Sequence, residues 1–203
     1  LPSVVQVDRV TDGFGVSWHV FAADGGYRIS PSIDDDYALD IAGGSDADHA
    51  SIRLYRANGT RAQLFTFELP KREIMNRLVA EHKNDLPDGT YFVRSSKNEH
   101  QVLDVAGGSK TSGTNIQLYA LNGSEAQLWS VSHDADGYVT LKSEDSNLVL
   151  DVSAGKSDSG TNVQLYISNG SRAQKWVAVK DGAGNYKFVS ALDASVCLDL
   201  SSG

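Results

Sequence analysis

The chain has 203 residues, with 18 Lys and Arg against 26 Asp and Glu and a net charge of −8. Such an acidic surface builds no field toward phosphate backbones or anionic lipid, so neither nucleic acid nor membrane is an expected partner. The single cysteine, Cys197, excludes an internal disulfide and a cysteine-based zinc site, and the five scattered histidines form no HxxxH pair, so no metal or cofactor is expected.

Apolar residues make up 40% of the chain, and no run approaches the roughly 20 residues needed to cross a bilayer, so we expect a soluble protein. Only 4 Pro stand against 19 Gly, with many Ser, Asn and Asp besides, a composition that predicts tight turns and few helices. The expected class is all-β.

Internal repetition is the strongest signal. Three segments align: YALDIAGGSDADHASIRLYRANGTRAQLF from Tyr37, QVLDVAGGSKTSGTNIQLYALNGSEAQLW from Gln101, and LVLDVSAGKSDSGTNVQLYISNGSRAQKW from Leu148. Each carries an Asp (Asp40, Asp104, Asp151), then a Tyr (Tyr55, Tyr119, Tyr166), then a Gln (Gln63, Gln127, Gln174), and the intervals between them are identical in all three. Two places beyond the Gln stands an aromatic: Phe65, Trp129, Trp176.

In chain order, residues 4–18 (VVQVDRVTDGFGVSW) read as the second half of a copy, because Trp18 precedes Tyr27 by the same interval that separates Trp129 from Tyr138. This front copy carries Asp8 at the aromatic position, so any site there is expected to be dead. The first complete copy follows, opened by Tyr27 ahead of the pair Leu39-Asp40; Tyr91, Tyr138 and Tyr186 stand at the same distance from later Leu-Asp pairs. Its Asp34, Asp35 and Asp36 read as a solvated turn.

Next comes a change of composition. The interval from Tyr27 to Tyr91 is longer than those from Tyr91 to Tyr138 and from Tyr138 to Tyr186, which are nearly equal. The excess, within LPKREIMNRLVAEHKNDLPD, predicts a helix of three to four turns. Pro70 lies near its first turn, and Ile74, Met75, Leu78 and Val79 form one stripe. Either it is a solvated spacer or it packs on a lobe, and burial of Met75 and Leu78 distinguishes the two.

Beyond the insert each copy reads as four short strands, YVTLKS, LVLDV, VQLYIS and QKWVAV in the best case, with Asn-Gly pairs (Asn58-Gly59, Asn122-Gly123, Asn169-Gly170) as turn signals between the last two. A unit this small cannot bury both its faces, so about three must share a core. A further copy starts near Tyr186 and is cut at Gly203, and with the opening on Leu1 this leads us to expect a segment of something longer.

The LDV, VQLY and Gln-x-Trp motifs resemble the ricin B-type lectin family, over nearly the whole chain apart from the insert. That resemblance implies a β-trefoil, three repeats forming a six-stranded barrel capped by three hairpins. We expect residues 1–69 to be the end of one trefoil, 70–86 a helical linker, and 87–203 the start of a second. An alternative is that residues 4–18 complete the rear copy from Tyr186, within one chain or by exchange between two.

The chemistry can be stated apart from the family. A pyranose presents a face of C–H groups and an edge of hydroxyls, so a site needs an aromatic plate beside a carboxylate that accepts from two hydroxyls. The Asp and Tyr of each copy supply that pair. The resemblance implies that Asp40, Asp104 and Asp151 take the hydroxyl edge and that Tyr55, Tyr119 and Tyr166 stack on the ring. It further implies that Gln117 and Gln164 hold the Asp, and that Gln63, Gln127 and Gln174 are part structural, part supporting.

Two departures stand out. The residue before the motif Gln, often a sugar-bonding Asn in the family, is Ala62, Ala126 or Ala173, and the first copy has Arg53 where the others have Gln117 and Gln164. A bland reading stays open beside the lectin one: the Asp ties down the following Gly-rich turn and the Tyr is ordinary surface.

No Gly-x-Ser-x-Gly elbow, histidine metal pair, Cys–His couple or phosphate-cradling loop is present, so the chain is expected not to be an enzyme. The expected function is a weak, multivalent carbohydrate-binding module. It would be secreted or at a bacterial cell surface, with glycans as partners and any catalytic domain, such as a glycoside or peptidoglycan hydrolase, elsewhere in the parent protein. A structural or protein-interaction trefoil is the alternative.

Overall fold

The computed structural model describes residues 17–200; most of the front half-copy, Asp8 included, lies outside them. The chain divides into two compact units, residues 1–68 and 69–203.

In the first unit, β1 (Trp18–Ala23) and β2 (Gly26–Pro31) form an antiparallel hairpin, as do β3 (Tyr37–Ile41) and β4 (Ile52–Arg56). A bridge from Tyr27 to Phe65, with backbone bonds of 2.8 and 2.9 Å, ties the chain after the second hairpin back to the start of β2.

The second unit opens with the helix α1 (Lys71–His82) and continues through nine strands. Those that form the barrel wall are β5 (Gly89–Phe92), β8 (Leu128–His133), β9 (Val139–Ser143), β12 (Trp176–Lys180) and β13 (Tyr186–Ser190), each antiparallel to the next in that order. Two hairpins complete the set: β6 (Gln101–Val105) with β7 (Ile116–Ala120), and β10 (Leu148–Val152) with β11 (Val163–Ile167). The fold is all-β, of β-trefoil type, with one short α-helix among the described residues.

Alternation sets which side chains fill the interior. Trp129 and Trp176 are wholly buried with Leu141, Leu150, Leu165 and Val105, so the aromatic of each repeat in this unit is the core anchor. The Trp129 indole N–H donates to the Leu103 carbonyl at 3.1 Å, fastening the barrel to the hairpin above it. The two hairpins also hold each other, since Gly113 N–H donates to Leu165 O at 2.7 Å and Leu165 N–H to Thr114 O at 2.8 Å.

The Asn-Gly pairs do not turn one strand of a hairpin into its partner. β11 pairs with β10, and β12 with β9 and β13, so Asn169-Gly170 lies in a link between strands that do not pair. The link closes instead around a side chain: Gln174 Oε1 accepts the N–H groups of Asn169 at 2.8 Å and Gly170 at 3.2 Å.

The helix packs on the second unit. Met75 and Val79 are buried against Val177 of β12 and Val189 of β13, and Leu78 is half-buried beside them. Gly137, at φ +93°, allows the approach, for a Cβ there would stand 3.1 Å from both Val79 Cγ1 and Lys83 Cβ. Polar latches fix both ends. Lys71 Nζ donates to Asp193 Oδ2 at 2.7 Å, and Asp85 Oδ2 accepts from Lys180 N–H at 2.9 Å and bonds His82 Nδ1 at 2.8 Å.

The bonds from Lys71 and Ser195 hold the Asp193 carboxyl well below the usual carboxylate range, and the Lys180 N–H and His82 lower Asp85. A carboxyl lowered in the folded state contributes stability above the ordinary value of 3.8, and that stability is lost as pH falls through the folded value. Melting temperature measured from pH 6 to pH 2 should therefore fall below about pH 4, and Asp193→Asn should flatten that acid limb. Met75→Ala should cost about 2–5 kcal/mol in urea unfolding of the second unit, whereas Ile74→Ala, on the exposed side of the helix, should stay within about 0.5 kcal/mol. A helix acting as a free spacer would leave both variants at wild-type stability.

Candidate functional site

Each complete repeat builds the same local arrangement on its hairpin. The Asp sits near the end of the first hairpin strand and pairs across the ladder with the residue two before the Tyr: Asp40 with Arg53, Asp104 with Gln117, Asp151 with Gln164. Opposed residues share one face of the ladder, so the partner is held beside the carboxylate. Gln117 Nε2 donates to Asp104 Oδ1 at 2.9 Å, and Gln164 Nε2 to Asp151 Oδ1 at 3.0 Å.

The other carboxylate oxygen is met by the motif Gln. Gln127 Nε2 donates to Asp104 Oδ2 at 3.2 Å, Gln174 Nε2 to Asp151 Oδ2 at 3.0 Å, and Gln63 Nε2 to Asp40 Oδ2 at 3.2 Å. These three Gln are buried and spend every group they have. The second N–H of each bonds the carbonyl of Ala120, Ile167 or Arg56, and each Oε1 accepts from the Asn of the Asn-Gly pair. They are positioning residues, with no capacity left for a ligand.

The carboxylates keep such capacity. Two oxygens offer about four acceptor positions, and one bond to each oxygen leaves room for two hydroxyl donors. The Asp side chains are not consumed by the Gly-rich turn that follows them; amide side chains, joined by Arg53 in the first copy, hold them from behind. That turn contains left-handed backbone, Gly43 at φ 70°, Gly107 at 64° and Ala154 at 55°, and it swings the chain away from the strand end.

The tyrosines face outward, with Tyr55 46%, Tyr119 52% and Tyr166 39% exposed. In the second unit an open cleft of 490 Å³ is lined by Asp104, Gln117, Tyr119 and Ala126, together with Gly107 and Gly108 of the turn. Acid, supporting amide and phenol thus share one cavity. Ala126, where the family often has Asn, contributes an apolar wall.

Four further residues line this cleft: Asn122, Ser124, Glu125 and Asp145. Asn122 Oδ1 accepts Ser124 N–H at 2.9 Å, and its amide NH2 has no acceptor among the described residues, so it can supply a donor in place of the absent Asn. Glu125 stands two places before the motif Gln, where the other copies have Arg61 and Arg172. Asp145 comes from the turn between β9 and β10 in the next repeat and is bonded by Lys110 at 2.6 Å, the contact that holds its carboxyl below the usual range.

The first-unit arrangement differs. Arg53 Nε donates to Asp40 Oδ1 at 2.8 Å, and its guanidinium lies over the Tyr55 ring, 4.5 Å from the centroid. The carboxylate is ion-paired and one ring face is covered.

Removal of a motif Gln isolates its role. Gln127→Ala strands the Asp104 carboxylate, the Ala120 carbonyl and the Asn122 N–H together, and should destabilise the second unit by about 3 kcal/mol in urea unfolding. Tyr119→Ala, which removes only exposed ring surface, should leave the unfolding free energy within about 0.5 kcal/mol of wild type.

The ricin-type β-trefoil lectin domain-like family matches residues 16–119, 61–166 and 125–203. Among solved structures, the designed three-fold symmetric protein ThreeFoil is 32% identical over 53% of this chain and 76% of its own, with a TM-score of 0.51. A mosquitocidal holotoxin is 18% identical over 91% of this chain, with a TM-score of 0.51, and the chain covers only 20% of it. The agglutinin of Rhizoctonia solani is 25% identical over 58% of this chain and 78% of its own, with a TM-score of 0.48. No curated protein matches the sequence. The matched segments overlap along the repeats from residue 16 to residue 203, and the chain belongs to the ricin-type β-trefoil lectin-like family.

Proposed function

We propose that this protein is a non-catalytic carbohydrate-binding module whose hairpin clefts each hold one saccharide unit of a glycan or polysaccharide. One observation carries the reading. In the cleft at Asp104 an exposed Tyr119 ring stands beside a largely buried carboxylate, 5% exposed, that lines the cleft and is braced by two amide side chains with only one bond to each oxygen. The same atoms recur at Asp151 and Tyr166. A ring face for C–H groups and a fixed pair of acceptors for vicinal hydroxyls match a pyranose on two of its surfaces at once.

The cleft at Asp104 is open, so one such site contributes little by itself, on the order of millimolar affinity or about −4 kcal/mol. Repetition compensates. Sites held on one rigid trefoil raise the effective concentration of a polymer's second unit once its first is bound. This multivalent grip suits an accessory module that keeps a larger secreted or cell-surface protein on its glycan.

On a glycan array, the intact chain should bind a defined set of neutral glycans. Tyr119→Ala with Tyr166→Ala should reduce that binding by about tenfold or more, the equivalent of losing roughly 1.4 kcal/mol of stacking, with an unchanged melting temperature. Binding that survives the double substitution undiminished would overturn the assignment of these clefts.

A further inference from the structure

The three hairpin sites are built on one frame but do not carry the same charged side chains. In the second unit, the cleft at Asp104 is walled by Glu125 and Asp145 besides Asp104 itself, and its supporting residue is the neutral Gln117. In the first unit the supporting residue is Arg53, and the position of Glu125 is taken by Arg61. By register the first copy thus has two guanidinium groups, Arg53 and Arg61, at the positions where the second-unit cleft has an amide and a carboxylate. Lys110 pairs with Asp145 of the second-unit cleft at 2.6 Å, and Asp46 stands at its register in the first copy.

Arg53 also does something a Gln cannot. Its Nε reproduces the bond that Gln117 and Gln164 make to the equivalent Asp, at 2.8 Å against 2.9 and 3.0 Å. That one bond pins Asp40, and the two terminal amino groups of the fork donate to no acceptor among the described residues. The side chain is 30% exposed, so those groups can be reached. The plane of the fork rests on one face of Tyr55, 4.5 Å from the ring centroid, which fixes its orientation. What remains is a planar, pre-oriented pair of donors, the geometry that meets a carboxylate through two parallel bonds.

We propose that the cleft at Asp40, Arg53 and Tyr55 binds a saccharide carrying a carboxylate on its ring, with that carboxylate on Arg53 and Arg61 close by, while the clefts at Asp104 and Asp151 take neutral pyranoses. The proposal rests on the carbohydrate-binding reading above and assigns a different ligand class to one of its sites. A polymer with both neutral and acidic sugars would then be held through both kinds of cleft.

The test presents D-galacturonate against D-galactose and D-glucuronate against D-glucose as immobilised ligands to the full chain. The pairs differ only at C6. Binding to at least one uronate should persist in the Tyr119→Ala, Tyr166→Ala double variant and fall by about tenfold or more in Arg53→Gln, the loss of one charge-assisted pair. Arg61→Glu, at an exposed position that leaves the Asp40 frame untouched, should lower it as well and decides the matter if Arg53→Gln melts early. Neutral-sugar binding with no uronate response, or a uronate response that follows Tyr119 and Tyr166 instead of Arg53 and Arg61, overturns this inference and leaves the carbohydrate-binding reading standing. No response to any sugar overturns both.

Discussion

The buried contact between the motif Gln and the hairpin Asp is the constraint from which the site follows. An amide side chain with no access to water must satisfy all its groups inside the protein. Gln127 does so by reaching the Asp104 carboxylate, the Ala120 carbonyl and the Asn122 N–H at once. Those partners belong to both strands of one hairpin and to the link that leaves it. A single residue therefore sets the height of the carboxylate, the end of the second strand and the path into the barrel. Because Trp129 follows closely and is wholly buried, the same stretch of chain is anchored in the core. The site is rigid because the fold cannot relax there without exposing unpaired groups.

This coupling explains why so much was legible in the residue spacing. The stretch from Asp104 to Tyr119 is the hairpin with its turn, and the stretch from Tyr119 to Gln127 contains the link that Gln127 closes by accepting its N–H groups. The short step from Gln127 to Trp129 carries both side chains into the interior. Each interval corresponds to a contact, and the brace from Gln to Asp is the same in three copies. Where a residue's contacts lie within its own repeat, as for Asp104 and Gln127, the recurring spacing reflects them.

What was not legible came from elsewhere in the chain. Asp145 reaches the cleft at Asp104 from the following repeat, and no interval inside one copy points to it. The amphipathic stripe of α1 announced a buried face but not its destination, because Met75 and Val79 find their partners far along the chain on β12 and β13. The Asn-Gly pairs carried a hairpin signal that the tertiary structure overrides: the link they form is shaped by a buried acceptor, Gln174 Oε1, and not by a cross-strand ladder.

One frame with variable lining is how a repeat can diversify without losing its fold. The residues that brace the carboxylate are the ones the core depends on, so Gln63, Gln127 and Gln174 are held to one identity by the groups they satisfy. The exposed residues around the brace carry no such burden. Position 61, 125 or 172 lies on an exposed turn and holds Arg, Glu and Arg in the three copies. The supporting position, Arg53, Gln117 or Gln164, is intermediate: it must donate one hydrogen bond to the Asp, but any side chain with an N–H at that distance will serve. Arg meets that demand with Nε alone and so adds a charge to the cleft without breaking the brace. Charge at these sites is accordingly free to vary at positions where the brace does not depend on it, so the three copies can differ in charge while keeping one fold.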